Sequence, residues 1–417
     1  MLRRTLGICM ALGLFVGTAL PAMGASLQVG NCTTATPQYP SITIAVNNSS
    51  SGDTINVCPG SYAEQVFIGQ NLTLQGIELS DGTFGQARIV SPPSWISGVS
   101  FGGFPIDAQV YVYAGATLTM SNITIDGANN NITTCATDLV GVLFQNASGS
   151  LEQTVVKNQL LPTGYQGCQS GEAVRVESAG GNSNVTVDSS LITGFQKNGI
   201  SGKYTGTTLT VSNNAIVGVG PTTGAAENGV EFYGGAKGSV TSNRVADTVW
   251  VDPVNNPPAY CASGILVYGS KGITISGNRI ANTQCAIAVI TDPSVGSGNA
   301  NAITGNLIDA THAFDAIDAC SNNNNIANNI IQGADQSAIH LDSTCGGTGK
   351  GNTVSGNTVN LACAGILEGG TPNTIATSNK LNNVLNQLVL SDTCTVQALS
   401  ASRIRQASHA RPIPSVR

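Results

Sequence analysis

The strongest constraint on the fold is a short motif that recurs along the chain and is centred on one asparagine. It reads KGITISGNRI at residues 271–280 and KGNTVSGNTV at residues 350–359. The aligned asparagines are Asn214, Asn243, Asn278, Asn306, Asn329, Asn357 and Asn379. The two shortest spacings are 22 and 23 residues. A short repeat with irregular insertions predicts a solenoid whose loops vary in length.

Apolar and small polar residues alternate inside each unit, as at Ile273 and Ile275, which is the period of a β-strand. A second short strand recurs between the asparagines, for example GVEFY at 229–233, GILVY at 264–268 and AIHLD at 338–342. Two or three strands per unit, all running in one direction, predict a parallel β-helix. Asparagines stacked about 4.8 Å apart at a coil corner would hydrogen-bond along the stack while tolerating unusual backbone angles.

The segment SITIAVNNSSSGDTINVCPGSYAEQVFIGQNLTLQG, residues 41–76, resembles the N-terminal coil of right-handed parallel β-helix proteins of the pectin-lyase-like superfamily. The matching positions are Gly52, Asp53, Thr54, Ile55, Pro59, Gly60, Tyr62 and Glu64, followed by NLTLQG. The resemblance implies an all-β chain that forms a single right-handed parallel β-helix of about 10 to 12 coils. It leaves the activity open, because this fold hosts lyases, hydrolases, esterases, epimerases and non-catalytic envelope proteins.

The two ends of the chain differ from the repeated region. Two arginines, an apolar run and small residues predict a secretory signal peptide over residues 1–24. The β-helix domain is predicted over residues 25–398, and residues 399–417 form a basic tail without strand pattern that we expect to be disordered. No later stretch approaches the roughly 18 apolar residues that a membrane span requires. The mature protein is therefore expected to be secreted, either extracellular or periplasmic.

Export changes the role of cysteine, because an oxidising compartment favours disulfides. Ten of the 11 cysteines remain when Cys9 leaves with the predicted signal peptide. Paired in order, they are separated by about one coil each: Cys32 with Cys58, Cys135 with Cys168, Cys261 with Cys285, Cys320 with Cys345 and Cys363 with Cys394. Equivalent points on adjacent coils lie about 4.8 Å apart, within the Cα range of a disulfide. The sequence predicts five disulfides that staple neighbouring coils, and the last pair fits least well.

The net charge of the chain limits the kinds of molecule that the protein is expected to bind. Without the predicted signal peptide and tail, the chain has 11 basic and 23 acidic residues, a formal charge of −12. This balance argues against nucleic acid, and it would repel an anionic glycan unless calcium bridged the two. A neutral polysaccharide is the expected partner, and the sequence predicts no oligomeric state.

Catalytic motifs of the known families of this superfamily are missing, including an adjacent Asp pair, Gly-His-Gly and Gln-Asp-Thr. Candidate functional residues must therefore be sought among the outward-facing residues of the second strand. One predicted outward column contains Leu143, Arg175, Ser201, Glu231, Leu266, Ala288, Asp318, His340, Leu367 and Val389. Two groups of residues along this face are candidates for function.

The first candidate is a catalytic group formed by Asp318 and His340 on neighbouring coils and by Asp342, with Asp315 and His312 just upstream. A carboxylate beside an imidazole can orient it as a general base, and a second carboxylate can act as an acid or bind a cation. No cofactor is expected, although calcium could bind at Asp318 and Asp342. The alternative is a solvated polar ladder on the outside of the solenoid.

The second candidate is a substrate groove beside two long insertions that leave the same corner of adjacent coils. Aromatic faces next to carboxylates suit sugar rings, which present both apolar faces and hydroxyl edges. The predicted substrate-binding residues are Glu231, Tyr233, Trp250, Tyr260 and Tyr268, and a loop carrying Tyr165 is expected to add a wall. The alternative is that Trp250 only packs its loop against the β-helix.

Two functions remain open at this point. One is a protein that binds a polysaccharide along a lateral groove, with cleavage by a lyase or hydrolase reaction left open. The other is a non-catalytic envelope or extracellular solenoid that serves structure or adhesion, which the missing catalytic motifs favour. The sequence leaves the enzyme question undecided.

Overall fold

The computed structural model describes residues 24–77, 87–255, 260–311 and 314–389. The predicted signal peptide apart from Gly24, the predicted tail, His312 and Cys394 lie outside the described residues. The chain winds into a right-handed parallel β-helix, as predicted. No helix in the described ranges is long and apolar enough to cross a membrane.

Strands dominate the described residues, and one short helix, α1 (Ile42–Asn47), lies near the N-terminus. The strands are β1 (Ser26–Val29), β2 (Gln38–Tyr39), β3 (Asp53–Val57), β4 (Gly60–Ala63), β5 (Val66–Ile68), β6 (Leu72–Gly76), β7 (Ala87–Val90), β8 (Gly98–Val99), β9 (Pro105–Val112), β10 (Thr117–Ser121), β11 (Ile123–Asp126), β12 (Asp138–Gln145), β13 (Ser148–Glu152), β14 (Val155–Gln159), β15 (Glu172–Glu177), β16 (Ser183–Asp188), β17 (Leu191–Phe195), β18 (Asn198–Lys203), β19 (Thr207–Ser212), β20 (Ala215–Thr222), β21 (Asn228–Tyr233), β22 (Lys237–Thr241), β23 (Arg244–Trp250), β24 (Ser263–Tyr268), β25 (Thr274–Ser276), β26 (Arg279–Thr283), β27 (Cys285–Ile290), β28 (Ala302–Thr304), β29 (Leu307–Thr311), β30 (Ile317–Cys320), β31 (Asn325–Ala327), β32 (Ile330–Leu341), β33 (Thr353–Ser355), β34 (Thr358–Glu368), β35 (Thr374–Ile375) and β36 (Lys380–Val389).

Two long sheets run the length of the solenoid. One has 14 described strands in the order β2, β1, β3, β6, β10, β13, β16, β19, β22, β25, β28, β31, β33 and β35. The other joins 22 described strands and makes up the remaining faces, including the second-strand face. Paired strands within these described ranges run parallel, with the exception of β8 against β9. Because consecutive coils stack in register, side chains of one position form a column along the outside or the core.

The N-terminal coil explains the residues that carry the family resemblance. The carboxylate of Glu64 accepts hydrogen bonds from the backbone N–H groups of Ile42 (2.9 Å) and Thr43 (2.8 Å), which begin α1. The carboxylate of Asp53 accepts two further backbone N–H groups at 2.6 and 2.7 Å. These side chains satisfy donors that a helix start and a coil end leave unpaired.

The repeated asparagines form the predicted ladder. Each side-chain amide donates to the side-chain oxygen of the asparagine on the next coil, at 2.9 to 3.1 Å from Asn214 to Asn379. The prediction that the asparagines themselves adopt unusual backbone angles was wrong. The left-handed backbone conformation mostly falls on the residue that precedes each asparagine. Those residues include Asn213, Ser242, Gly277, Gly305, Asn328 and Gly356. Each asparagine is therefore held by its hydrogen bonds, and its neighbour makes the turn.

Four of the five predicted disulfides are confirmed. Cys32–Cys58, Cys135–Cys168, Cys261–Cys285 and Cys320–Cys345 are bonded, with Cα–Cα distances of 5.1 to 5.9 Å. The pairing of Cys363 with Cys394 stays a prediction, since Cys394 lies outside the described residues. Because disulfides persist in oxidising compartments, the four bridges indicate a location outside the cytoplasm.

The predicted outward column is confirmed by the strand register. On the coils that carry the site described below, Arg175 pairs with Ser201, and Ser201 pairs with Glu231. Further along, Ala288 pairs with Asp318, and Asp318 pairs with His340. We call this line of residues the outer column, and it forms the floor of the site described next.

Candidate functional site

A lateral groove lies over the outer column and consists of two adjoining pockets. The end pocket has a volume of about 290 Å³ and contains the side chains of Asp138, Glu172, Arg175, Lys203 and Glu231. The central pocket has a volume of about 680 Å³ and extends from Trp250 to Asp318. Gln169 and Lys197 line both pockets, so the two form one continuous groove.

The central pocket has an apolar floor. Leu266, Ala288 and Ile290 lie at its base, on the two neighbouring strands β24 and β27 of the second-strand face. The two predicted insertions form its wall, through Gly224 to Ala226 on one loop and Trp250 with Tyr260 on the next. The Trp250 indole N–H donates to the Gly224 carbonyl at 2.7 Å, which ties the loops together. Trp250 thus both packs its loop and faces the groove, so the two interpretations are compatible.

A line of aromatic rings crosses from one pocket to the other. Tyr233 and Tyr268 stack with 5.9 Å between ring centroids and 5° between planes. Tyr204 meets Tyr233 edge to face at 6.0 Å, and Phe101 meets Tyr204 in the same way at 6.4 Å. We call these four rings the aromatic ladder. Tyr260 is 74% exposed and adds a free ring face across the central pocket.

One predicted wall is not formed. Tyr165 was expected to line the groove, but it packs against the apolar cluster that contains Ile132, Leu139 and Leu161. Its loop contributes Gly167 and Gln169 to the groove instead.

An acid–histidine centre lies at the far end of the central pocket. The Nδ1 atom of His340 is 3.0 Å from Asp315 Oδ2, and Asp315 Oδ1 accepts the Ser337 backbone N–H at 2.8 Å. Asp315 therefore fixes the orientation of the imidazole. Asp318 also faces the pocket, and its Oδ1 atom is buried without a hydrogen-bond partner among the described residues. The sequence had placed Asp315 only beside the candidate group.

The protonation of this centre follows from its burial and charges. Burial alone would lower the pKa of His340, but the hydrogen bond to Asp315 and the surrounding carboxylates raise it to about 9. Burial and the neighbouring Asp315 raise the pKa of Asp318 well above the usual carboxyl range. Both groups therefore retain protons near neutral pH. This state makes His340 a poor general base, in contrast to the role predicted from the sequence.

Asp342 lies at the edge of the same centre. Its Oδ1 atom is 3.9 Å from His340 Nε2, beyond hydrogen-bond distance. The carboxylate accepts the Thr344 backbone N–H at 2.7 Å and the Thr344 hydroxyl at 2.9 Å. The three residues predicted as catalytic, Asp318, His340 and Asp342, are thus adjacent, and their roles stay predictions.

A cation could be held by the acid–histidine centre. Ligand atoms of Asp315, Asp318 and His340 lie within 4.8 Å of one another. Two carboxylates and one imidazole form a donor set that suits a divalent transition metal better than calcium, which prefers oxygen ligands. The calcium site predicted at Asp318 and Asp342 stays a prediction. The cysteines near Asp342 are joined in the Cys320–Cys345 disulfide and cannot act as thiolate ligands.

The end pocket contains a buried charge network that the sequence interpretation missed. Arg175 lies 2.8 Å from Asp138 and 2.7 Å from Glu177, and Lys203 lies 2.7 Å from Glu172 and 3.9 Å from Glu231. The strand register places Glu177 beside Lys203 on the adjacent coil. Glu177 is fully buried, and its carboxylate is bonded to Arg175. The sequence pattern could have revealed this network, because Arg175, Lys203 and Glu231 occupy adjacent coils on the outward face.

The network holds its carboxyl groups in different states. Burial alone would raise the pKa of Glu172, but Lys203 and Arg175 outweigh it and set the pKa at about 2. Burial and the negative charge of Glu172 raise the pKa of Asp138. The side-chain amide of Asn198 donates to Glu231 Oε2 at 2.9 Å. Glu172 is therefore a fixed charge, whereas the pKa of Asp138 lies above the ordinary carboxyl value.

Comparison with known proteins agrees with this architecture. A family model described as "periplasmic copper-binding protein (NosD)" matches residues 254–394. Among solved structures, the Dettilon tailspike protein is similar, with 16% identity and a TM-score of 0.56, over 83% of this chain and 63% of that one. The chain therefore spans less than two thirds of the tailspike.

The chain therefore adopts the right-handed parallel β-helix fold. Two further similar structures are enzymes that act on carbohydrates. The catalytic domain of a GH87 alpha-1,3-glucanase has 14% identity and a TM-score of 0.54, over 90% of this chain and 68% of that one. A GH136 lacto-N-biosidase from Eubacterium ramulus has 12% identity and a TM-score of 0.51, over 88% and 67%. No curated protein matches the sequence.

Proposed function

We propose that the protein is secreted and binds a neutral polysaccharide along the lateral groove. The observation that carries this proposal is the aromatic ladder, which runs beside an apolar floor and connects two charged centres. Sugar rings stack on aromatic faces while their hydroxyl groups reach polar side chains at the edges. The named activities of the similar glucanase and lacto-N-biosidase support a carbohydrate ligand.

Three coil steps of about 4.8 Å separate Glu231 from Asp318 along the outer column, which is about 14 Å. The intervening floor is Leu266 and Ala288, so a bound chain would rest on apolar surface between polar centres. This spacing suits an oligosaccharide segment better than a single small molecule. The negative charge of the chain favours a neutral glycan over an anionic one.

We further propose that the acid–histidine centre cleaves the bound chain by hydrolysis. Asp318, which retains its proton, donates it to the glycosidic oxygen as the C–O bond breaks. A water molecule adds its hydroxyl group to the sugar carbon and gives its proton to Asp342. Asp342 is held in place by its two hydrogen bonds from Thr344, and His340, fixed by Asp315, lies beside it.

A neutral glycan panel that includes α-1,3-linked gluco-oligosaccharides tests the proposal. Binding is measured by calorimetry, and cleavage is measured by the release of reducing ends. Asp318→Asn should bind with unchanged affinity and release no product. Asp309→Asn is the matched control, because that half-exposed aspartate lies on a different face of the solenoid.

Each outcome has a clear meaning. Product from Asp318→Asn would refute the assignment of the proton donor. Binding without product from the wild-type protein would leave the non-catalytic solenoid as the function, with the groove as an adhesion site. Absence of both binding and product across the panel would refute the proposed function.

A further inference from the structure

One end of the groove is closed by a segment that folds over the outside of the β-helix. Residues 98–104, which we call the cap segment, comprise β8 and the turn into β9, and β8 pairs with β9 in antiparallel fashion. The Val99 carbonyl accepts the Gln145 side-chain amide at 2.8 Å, and the Phe101 N–H donates to Glu177 Oε1 at 3.2 Å. Phe101 also contacts Tyr204. The cap segment therefore crosses three consecutive coils.

Burial along the outward face shows where the groove stops. Glu177 points outward from its strand, yet its side chain is fully buried beneath the cap segment. Arg175 beside it is 3% exposed. On later coils the outward side chains Leu266 and Asp318 are open to the central pocket. The groove is thus open on the side of the central pocket and blocked at the end pocket.

The end pocket has the size and chemistry for one sugar residue. Its volume of about 290 Å³ is near the lower limit for ligand pockets. Tyr204 and Tyr233 present rings at 83° to each other, which form two sides of a corner. Glu231 accepts one hydrogen bond from Asn198 and has a second carboxylate oxygen for a hydroxyl group. Lys203, whose Nζ lies 3.9 Å from the Glu231 carboxylate, adds a donor beside it.

We infer that the end pocket holds the terminal residue of a glycan chain, so that the protein recognises chain ends rather than chain interiors. Phe104, which is 61% exposed and lines the end pocket, is the barrier that a continuing chain would meet. The rest of the chain extends over Leu266 and Ala288 toward the acid–histidine centre. This inference rests on the proposed function, since it concerns how the same groove takes its glycan.

The test presents one linear α-1,3-linked gluco-oligosaccharide to the full-length protein in two orientations. In one it is immobilised through its reducing end, and in the other through the opposite terminal residue. A blocked groove should bind one orientation at least about tenfold more tightly, since the linker cannot pass the cap segment. The free oligosaccharide is measured in parallel by calorimetry.

A variant of the cap segment gives a second measurement. Replacing residues 100–104 by two glycines should open the end pocket and reduce the ratio between the orientations to about twofold or less. Leu385→Ala, at a side chain that is 81% exposed on the last described strand, is the control and should keep the wild-type ratio. Thermal unfolding of each variant verifies that it is folded.

The outcomes separate the two proposals. Equal binding of both orientations by the wild-type protein would overturn chain-end recognition while the proposed groove function stands. Failure to bind the free oligosaccharide and every other neutral glycan of the panel would overturn both. A strong orientation preference that persists without residues 100–104 would show that the cap segment is not the barrier, and would overturn the inference in this form.

Discussion

The two ends of the groove are built from similar residue types and have opposite electrostatic states. In the end pocket, Arg175 and Lys203 neutralise the surrounding carboxylates, and Glu172 is ionised at any ordinary pH. At the acid–histidine centre, carboxyl groups surround one imidazole, and Asp318 retains its proton. The difference shows that a carboxyl group on this outward face can either carry a fixed charge or hold an exchangeable proton. Glu172 is flanked by the permanent cations Arg175 and Lys203, whereas Asp318 is flanked by Asp315, Asp342 and His340.

The largest expected effect is the loss of the buried cation in the end pocket. Arg175→Met leaves the Glu177 carboxylate buried without its cationic partner and also removes the partner of Asp138, which should cost about 3–5 kcal/mol of stability. His340→Gln, at the opposite end, should cost about 1.5–3 kcal/mol, since it removes one hydrogen bond made by a charged imidazole. Urea unfolding followed by circular dichroism measures both.

Arg175→Lys is the matched control, since it keeps the charge and loses the forked geometry of the guanidinium. We expect an intermediate loss of stability. Equal losses for Arg175→Met and His340→Gln would contradict the distinction between the two ends.

The second prediction concerns the pH dependence of stability, which should have opposite sign at the two ends. The pKa of Glu172 is lowered from 4.5 to about 2, so its stabilisation is present above pH 4.5 and is lost as pH falls toward 2. The pKa of His340 is raised from 6.5 to about 9, so its stabilisation is complete below pH 6.5 and is lost as pH rises toward 9.

Thermal unfolding across this pH range separates the contributions. Glu172→Gln should flatten the acid side of the stability curve, and His340→Gln should flatten the alkaline side. If Glu172→Gln keeps the wild-type slope on the acid side, the assignment to Glu172 is wrong. If His340→Gln keeps the wild-type slope on the alkaline side, the assignment to His340 is wrong. Glu152→Gln, at an exposed glutamate, should keep both slopes.

Much of the fold was predictable because the stacking of coils converts sequence spacing into spatial contact. The corner asparagines gave the period, and the period placed Cys135 beside Cys168 and Asp318 beside His340. Each of these predictions needs only the coil length and the alternation of a strand. The left-handed angle was misplaced by one residue because the motif alone does not distinguish the residue that turns from the residue that bonds.

The groove was predicted less completely, for a physical reason. The stacking of coils determines which backbone positions are neighbours. It does not determine how far the side chains at those positions extend. Arg175 extends along the solenoid to Asp138, and Lys203 extends to Glu172, so the network joins residues of different columns. The cap segment was not anticipated at all, because its contacts with Gln145 and Glu177 come from a chain reversal outside the repeat.

The third prediction concerns the aromatic ladder that connects the two ends. Tyr233→Ala removes a ring that stacks on Tyr268 and lines the end pocket, and should reduce glycan affinity about fivefold, which is about 1 kcal/mol. Tyr113→Ala is the matched control, since that tyrosine is partly exposed and lies outside both pockets of the groove. Similar losses for both variants would show that binding does not use the groove. Calorimetry with the best glycan of the panel gives the two affinities.

The smallest effect concerns which carboxylate controls the imidazole at the acid–histidine centre. His340 Nδ1 is bonded to Asp315 at 3.0 Å, whereas Asp342 approaches Nε2 only to 3.9 Å. Asp315→Asn should therefore lower the pKa of His340 toward 6.5, and Asp342→Asn should lower it much less. Proton NMR titration measures this directly, because the chain has three histidines and His340→Gln identifies the signal. A larger drop for Asp342→Asn would show that Asp342, and not Asp315, controls the imidazole, and it would leave Asp315 as a structural partner of Ser337.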